Sequence, residues 1–327
     1  MLLMGPKEDI DEEESKDGPL VRDLGIIGLG PAGLTAALYA SRAGLSVVEL
    51  GLDYGGQMGL AMEIENYPGY EMISGVDLAD KMRDQAEKFG TKTVYGEVST
   101  VEKLEDGNFL IQSDMGEFRV KALILATGGR HRELNVPGEK EFVGKGVSYC
   151  ATCDAAFFKE KTVIVVGSGD AAATGTLALS DVGAKMIYWI SRSDYLKCER
   201  IYIERVKKRS NVAILYSKQI TEIKGTNTVE EVSFNDGSLL KVDGIFAEIG
   251  AIPNIELAES LGCKIEDGLI KIDDDCRTNI AGVFSAGDVT SKIVNPLMRQ
   301  ITTSVGLGTI AALSAAEYIQ GLKTKQY

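Results

Sequence analysis

Val21-Arg22-Asp23-Leu24-Gly25-Ile26-Ile27-Gly28-Leu29-Gly30-Pro31-Ala32-Gly33 decides the fold: an apolar run ends in a glycine turn, and Leu34 to Ala43 continues with helical spacing. That order is strand, turn, helix. Glycines at these positions let the backbone turn tightly and approach a pyrophosphate, whose charge the free N–H groups and the helix dipole stabilise. Thr162 to Val166 leads in the same way into Gly167-Ser168-Gly169-Asp170-Ala171-Ala172 and a helix of small residues. The pattern predicts an α/β protein with two Rossmann-like dinucleotide-binding domains, or with one live site and one vestige.

The strand after each unit carries the group that reads the sugar. Ser46 to Leu50 offers Glu49 for ribose hydroxyls, two residues before Gly51. Lys185 to Ile190 runs into Ser191-Arg192-Ser193-Asp194-Tyr195-Leu196-Lys197, where Arg192 and Lys197 either bind a 2'-phosphate or line an ordinary solvated turn. Elsewhere the spacing predicts a helix over 76–89, an antiparallel meander over 91–121 and a buried strand over 122–129. It further predicts a hairpin near Asn235-Asp236-Gly237, a hinge over 250–254, a strand ending at Gly287-Asp288 and a helix over 305–319.

Between the two glycine turns stands Cys150-Ala151-Thr152-Cys153-Asp154. A disulfide between such near neighbours closes a small loop and is a weak staple, so its natural use is to open and close. A Cys-X-X-Cys pair near a helix start has one thiol pKa lowered, which supplies a thiolate for exchange, and Asp154 is placed to take and return a proton. Half of a zinc site, or two core cysteines, is the alternative. Zinc needs a second pair, and Cys198, Cys263 and Cys276 form none, while His131 is the one histidine of the chain. These three cysteines read as core thiols, and His131 as a loop or hinge residue.

The 327 residues suit two domains, and 37 glycines suit nucleotide turns better than a helical bundle. A net charge of −13 opposes general affinity for nucleic acid or anionic membrane. Residues 7–17 hold seven acids and two bases and read as part of a solvated tail over 1–20. Met1-Leu2-Leu3-Met4 is too short for a signal core, and no run of eighteen apolar residues occurs, so a cytoplasmic location is expected.

In combination the motifs resemble the low-molecular-weight thioredoxin reductases, FAD-containing pyridine nucleotide disulfide oxidoreductases. The resemblance spans about residues 21–322 and rests on Gly28 to Gly33, Gly55-Gly56-Gln57, Glu65-Asn66-Tyr67-Pro68-Gly69, Ala126-Thr127-Gly128, Cys150 to Asp154, Gly287-Asp288 and Arg299-Gln300. It implies an FAD domain from 21–132 and 252–327, with a nicotinamide-type domain over 133–251 inserted into it. It also implies roles: Gly28, Gly30, Pro31, Ala32 and Gly33 at the FAD pyrophosphate, with Gly56, Gln57, Asn66, Ala126, Thr127, Gly128, Gly287, Asp288, Arg299 and Gln300 about the rest of the cofactor. Cys153 would face the flavin, Cys150 would attack the partner's disulfide, and Asp154 would be the acid-base group. Gly167, Gly169, Asp170 and Ala171 would meet the second dinucleotide. A swinging inserted domain, a homodimer and a thioredoxin, glutaredoxin-like or peroxiredoxin-type acceptor complete the expectation.

Two departures bear on the electron donor. The family's His-Arg-Arg-X-X-X-Arg for the NADPH 2'-phosphate is here Ser191-Arg192-Ser193 followed by Lys197, and lysine cannot make arginine's bidentate contact. The glutamate pair of the following helix is Thr174-Gly175. NADPH, NADH, a reduced deazaflavin and ferredoxin are therefore all candidate donors, and a flavin redox sensor without turnover is the alternative from another class.

Overall fold

The computed structural model describes residues 21–61, 64–293 and 298–324, so the expected tail over 1–20 lies outside the described residues. In chain order come β1 (Val21–Ile27), α1 (Pro31–Arg42), β2 (Val47–Gly51), α2 (Gly75–Glu87), β3 (Lys92–Tyr95), β4 (Val98–Lys103), β5 (Phe109–Ser113) and β6 (Gly116–Leu125). Next are β7 (Gly129–His131), α3 (Glu139–Phe142), β8 (Val147–Ser148), α4 (Ala151–Asp154), β9 (Thr162–Val166), α5 (Asp170–Asp181), β10 (Met186–Ile190), α6 (Arg200–Lys207) and β11 (Val212–Leu215). The remainder is β12 (Ile220–Gly225), β13 (Val229–Phe234), β14 (Leu239–Lys241), β15 (Gly244–Ala247), β16 (Ala251–Pro253), α7 (Glu256–Ser260), β17 (Ile265–Glu266), β18 (Leu269–Ile270), β19 (Val283–Ser285) and α8 (Ile301–Thr324).

These elements form two compact units, one from the described residues up to 129 together with those from 253 onward, and one from 130–252. The two passages of the chain thus fall three residues before and one residue after the expected 132/133 and 251/252 boundaries. The reason lies in the passages themselves. The expected hinge over 250–254 contains β16, which pairs with β7 as a two-stranded ladder.

The first unit is built on a sheet of order β3-β2-β1-β6-β5-β4, with β19 also paired to β6. The expected meander is only partly present: β3 lies parallel to β2, and β4, β5 and β6 alone are antiparallel. β6 is one unbroken strand. Its first half pairs β5, and Ala122 to Leu125, fully buried, lie between β1 and β19, which run parallel to it. Parallel strands covered on both faces need such continuous apolar runs. On one face α1 packs against α8 through small residues, Ala32, Ala36 and Ala40 meeting a buried row at Ala311, Ala312 and Ala315 in the same core.

The second unit has a parallel sheet of order β11-β10-β9-β15-β8 and an antiparallel β12-β13-β14 sheet. Its core includes Trp189, wholly buried, whose indole N–H donates to the Gly167 carbonyl at 2.9 Å and so fastens the second glycine turn. Glu139, 1% exposed, accepts the N–H groups of Leu134 and Asn135 and the Tyr149 hydroxyl at 2.6–3.0 Å. That carboxylate fixes the entering segment and the residue preceding Cys150. His131 stacks on Tyr149 at 6.1 Å between ring centres.

Candidate active site

In the first unit the sequence-predicted residues converge. Gly28 has φ +121°, and a Cβ there would stand 2.1 Å from the Ala126 carbonyl oxygen; at Gly33 it would stand 1.8 Å from the Gly28 carbonyl oxygen. The turn therefore closes only with glycine at both places. Gly30 precedes α1 with no side chain capping the helix, and Pro31 occupies its first turn, so the first N–H groups of α1 face outward for an anion. Gly56 lies against this turn, since a Cβ on it would be 3.1 Å from the Gly30 Cα.

Around that cradle, Gln57 donates to the Gly129 carbonyl at 2.9 Å, and Thr127 and Asn254 exchange two side-chain bonds while the Asn254 N–H reaches the Gly128 carbonyl. Asn66 donates to Gln300 across 234 residues of sequence. Gly287 sits with its bare Cα beside Ala32, and Asp288 accepts the Ser304 hydroxyl at 3.1 Å. Burial raises the Asp288 pKa, while Ser304 and Arg299 oppose the shift. The Arg299 Nε is buried with no hydrogen-bond partner among the described residues.

Glu49 completes the first site. It is fully buried in the middle of β2, both of its oxygens lack a partner among the described residues, and one lies 3.0 Å from where a Gly33 Cβ would be. Burial first, then the charge of Glu87, raises its pKa well above the usual carboxylate value. An orphaned carboxylate under a bare glycine turn fits a ribose, whose hydroxyls would supply the missing donors.

This shift has a sign. The folded, flavin-free protein holds a proton on Glu49 that the unfolded chain gives up near the ordinary value. The stability so gained is present below that value and lost as pH rises through the raised one. Glu49→Gln is therefore expected to stabilise flavin-free protein at neutral pH relative to the parent and to weaken FAD binding about tenfold or more. Thermal melts of flavin-free protein against pH, with a flavin titration, check both; equal pH slopes for variant and parent would contradict it.

The second glycine turn is arranged differently. The Ser168 carbonyl accepts the N–H groups of Lys197 and Cys198, and the Asp170 carboxylate, at the first position of α5, accepts the Glu199 N–H at 2.8 Å. Gly169 caps α5 with extended backbone, and Ala171 is exposed beside it. Arg192 and Lys197 are both exposed and form no ion pair among the described residues. A carboxylate bonded to the Glu199 N–H thus stands in the first turn of α5, where it adds negative charge near the helix start.

Cys150, half-buried, is in a disulfide and precedes α4. The Cys153 side chain lies outside the described residues. Asp154 is half-buried and its N–H reaches the Cys150 carbonyl at 3.3 Å. The Ser148 hydroxyl meets both the N–H and the carbonyl of Cys150. Cys198, Cys263 and Cys276 are free, buried thiols, as expected of core residues, and burial is the first cause raising each pKa. Among the described residues no group of His, Cys, Asp and Glu is suited to a metal. Ser148, Asn254 and Glu248, whose carboxylate accepts the Ala151 N–H, escape a reading of local motifs. For Glu248 the one available signal is an acid directly after the apolar run Gly244–Ala247.

Two Rossmann-like units, an orphaned buried carboxylate beside the first glycine turn and a disulfide at Cys150 are the features of a disulfide oxidoreductase fold. Residues 22–308 match the pyridine nucleotide-disulphide oxidoreductase family, and the chain belongs to it. It is 40% identical to the thioredoxin reductase of Listeria innocua over 93% of this chain and 95% of that one. The crystal structure of Lactococcus lactis thioredoxin reductase is similar with a TM-score of 0.86 at 38% identity, covering 92% of this chain and 99% of that one. The crystal structure of T. acidophilum thioredoxin reductase is similar with a TM-score of 0.84 at 36% identity, covering 91% of this chain and 98% of that one. The chain is accordingly a flavin disulfide oxidoreductase of the thioredoxin reductase type, and FAD is its cofactor.

Proposed function

We propose that the protein is a thioredoxin-disulfide reductase in which two electrons reach the Cys150–Cys153 disulfide and pass to a thioredoxin-like protein. The observation that carries this reading is the disulfide at Cys150, at the start of the turn that α4 continues. Bound FAD supplies a two-electron carrier whose potential must lie near that of the acceptor, about −270 mV for a thioredoxin.

The chain's own groups do the rest. The Cys150 thiolate attacks one sulfur of the partner's disulfide; that bond breaks, a mixed disulfide forms, and the second partner sulfur leaves and takes a proton. Attack of Cys153 on the Cys150 sulfur then frees the partner as a dithiol and restores the Cys150–Cys153 bond. Asp154 holds and returns the proton. Gly28 to Gly33, Glu49, Asp288 and Arg299 bind the cofactor, which Gln57, Asn66, Thr127 and Gln300 orient.

The donor is a reductant other than micromolar NADPH. Asp170 at the start of α5 and the single arginine at 192 support this, because like charge opposes the pyrophosphate and lysine replaces a bidentate contact. NADH, a reduced deazaflavin and ferredoxin remain the donor classes to be assayed. Anaerobic reduction of the FAD-loaded protein, read from the flavin absorbance, tests it. Micromolar NADPH is expected to leave the flavin oxidised while dithionite reduces it fully; rapid bleaching by NADPH would show that Arg192 and Lys197 suffice.

The same reading includes a homodimer in the cytoplasm. No helix among the described residues is long and apolar enough to cross a membrane, and Ile310 and Leu313 leave exposed apolar surface on α8 for a second copy.

A further inference from the structure

The redox turn cannot hold itself in place. α4 has four residues, and the Asp154 N–H reaches back to the Cys150 carbonyl at 3.3 Å. A helix this short is unstable alone. In the oxidised protein the disulfide restrains it as well; once that bond opens, contacts from other elements carry more of the restraint.

Two side chains among the described residues bond to the turn's backbone N–H groups. The Ser148 hydroxyl accepts the Cys150 N–H at 3.1 Å, and Glu248 Oε1 accepts the next N–H, that of Ala151, at 2.8 Å. Glu248 follows β15, and its own N–H is bonded to the Val166 carbonyl at 2.8 Å, so the carboxyl projects from a strand end that is itself fixed. Ala151 is fully buried, its methyl 2.5 Å from where a Cβ on Gly175 of α5 would stand. Bare backbone at Gly175 therefore lets α4 settle onto α5, and Glu248 holds it there from the neighbouring strand. Burial raises the Glu248 pKa and the Ala151 N–H opposes the rise.

We infer that Glu248 is a positioning residue of disulfide exchange: through the Ala151 N–H it keeps the reduced turn seated on α5, so that Cys150 presents its sulfur in one place. The inference rests on the reading of Cys150 as the attacking thiol. The bond needs an acceptor at the length of a glutamate side chain, and glutamine supplies one while alanine and aspartate do not.

The test uses the FAD-loaded full chain, reduced chemically so that the donor plays no part, and follows the rate at which an oxidised thioredoxin is reduced in a single turnover. Glu248→Ala and Glu248→Asp are expected to exchange about tenfold more slowly than the parent, with Glu248→Gln restored to within about twofold; should Glu248→Ala fail to fold, Glu248→Asp and Glu248→Gln give the comparison. Parental rates in both shortened variants, or a Glu248→Gln as slow as they are, would overturn the inference. A parent that reduces no disulfide would instead overturn the proposed function, and the role of Glu248 with it.

Discussion

Cys150→Ser is expected to lower turnover with a thioredoxin-type disulfide on the order of a thousandfold or more, with the flavin still bound and still reducible. Loss of a nucleophile commonly has effects of this size, because the remaining groups then have nothing to assist. The separation of the two effects follows from the architecture: Cys150 belongs to the unit of residues 130–252, whereas the glycine cradle and Glu49 belong to the other unit. Serine fits the half-buried position, and the Ser148 and Asp154 bonds to residue 150 use its backbone. Turnover measured beside the flavin spectrum decides it. A variant that keeps more than about a tenth of parental turnover would remove Cys150 from the attacking role.

Gly33→Ala carries the largest expected structural effect. The added methyl would meet the Gly28 carbonyl oxygen at 1.8 Å and one Glu49 oxygen at 3.0 Å, and the first of these is backbone that cannot swing aside. Opening the turn shifts α1, which is packed on α8 through alanines, so the cost reaches into the core and should exceed about 3 kcal/mol. The protein is expected to be colourless or insoluble. Gly306→Ala on α8 is the internal control: nothing lies within 4 Å of its Cβ position, and in a helix this exchange should add about 0.5–1 kcal/mol of stability. Yellow colour and melting temperature distinguish the two. A yellow, stable Gly33→Ala protein would show that the turn is looser than its contacts indicate.

Both glycine turns were legible in the sequence because their chemistry is local. Gly28 to Gly33 and Gly167 to Ala172 each follow an apolar strand and open a helix, and those three facts sit within a dozen residues. The Cys-X-X-Cys turn was legible for the same reason. Long-range arrangement was not. The continuity of β6 depends on pairing with β1 along most of its length and, on its other side, with β5 along the first half and β19 along the last residues, which its own residues do not encode. Glu248 reaches Ala151 across 97 positions, and Asn66 reaches Gln300 across 234. Such contacts become visible only when the strand order places β15 beside β8 and β9, or brings the ends of the chain into one unit. Asp170 illustrates a middle case: the sequence places it in a dinucleotide fingerprint, and the fold bonds its carboxylate to the Glu199 N–H, 29 positions away.

The central claim is that electrons held by the FAD-loaded protein leave through Cys150 to a protein disulfide. Its most direct test is to reduce the holoprotein anaerobically with a counted amount of dithionite, remove the reductant, add an oxidised thioredoxin and count the thiols that appear on it. One thioredoxin disulfide opened for each two electrons stored, with the flavin returning to its oxidised spectrum, is the result predicted. A flavin that stays reduced while the thioredoxin remains oxidised would contradict it.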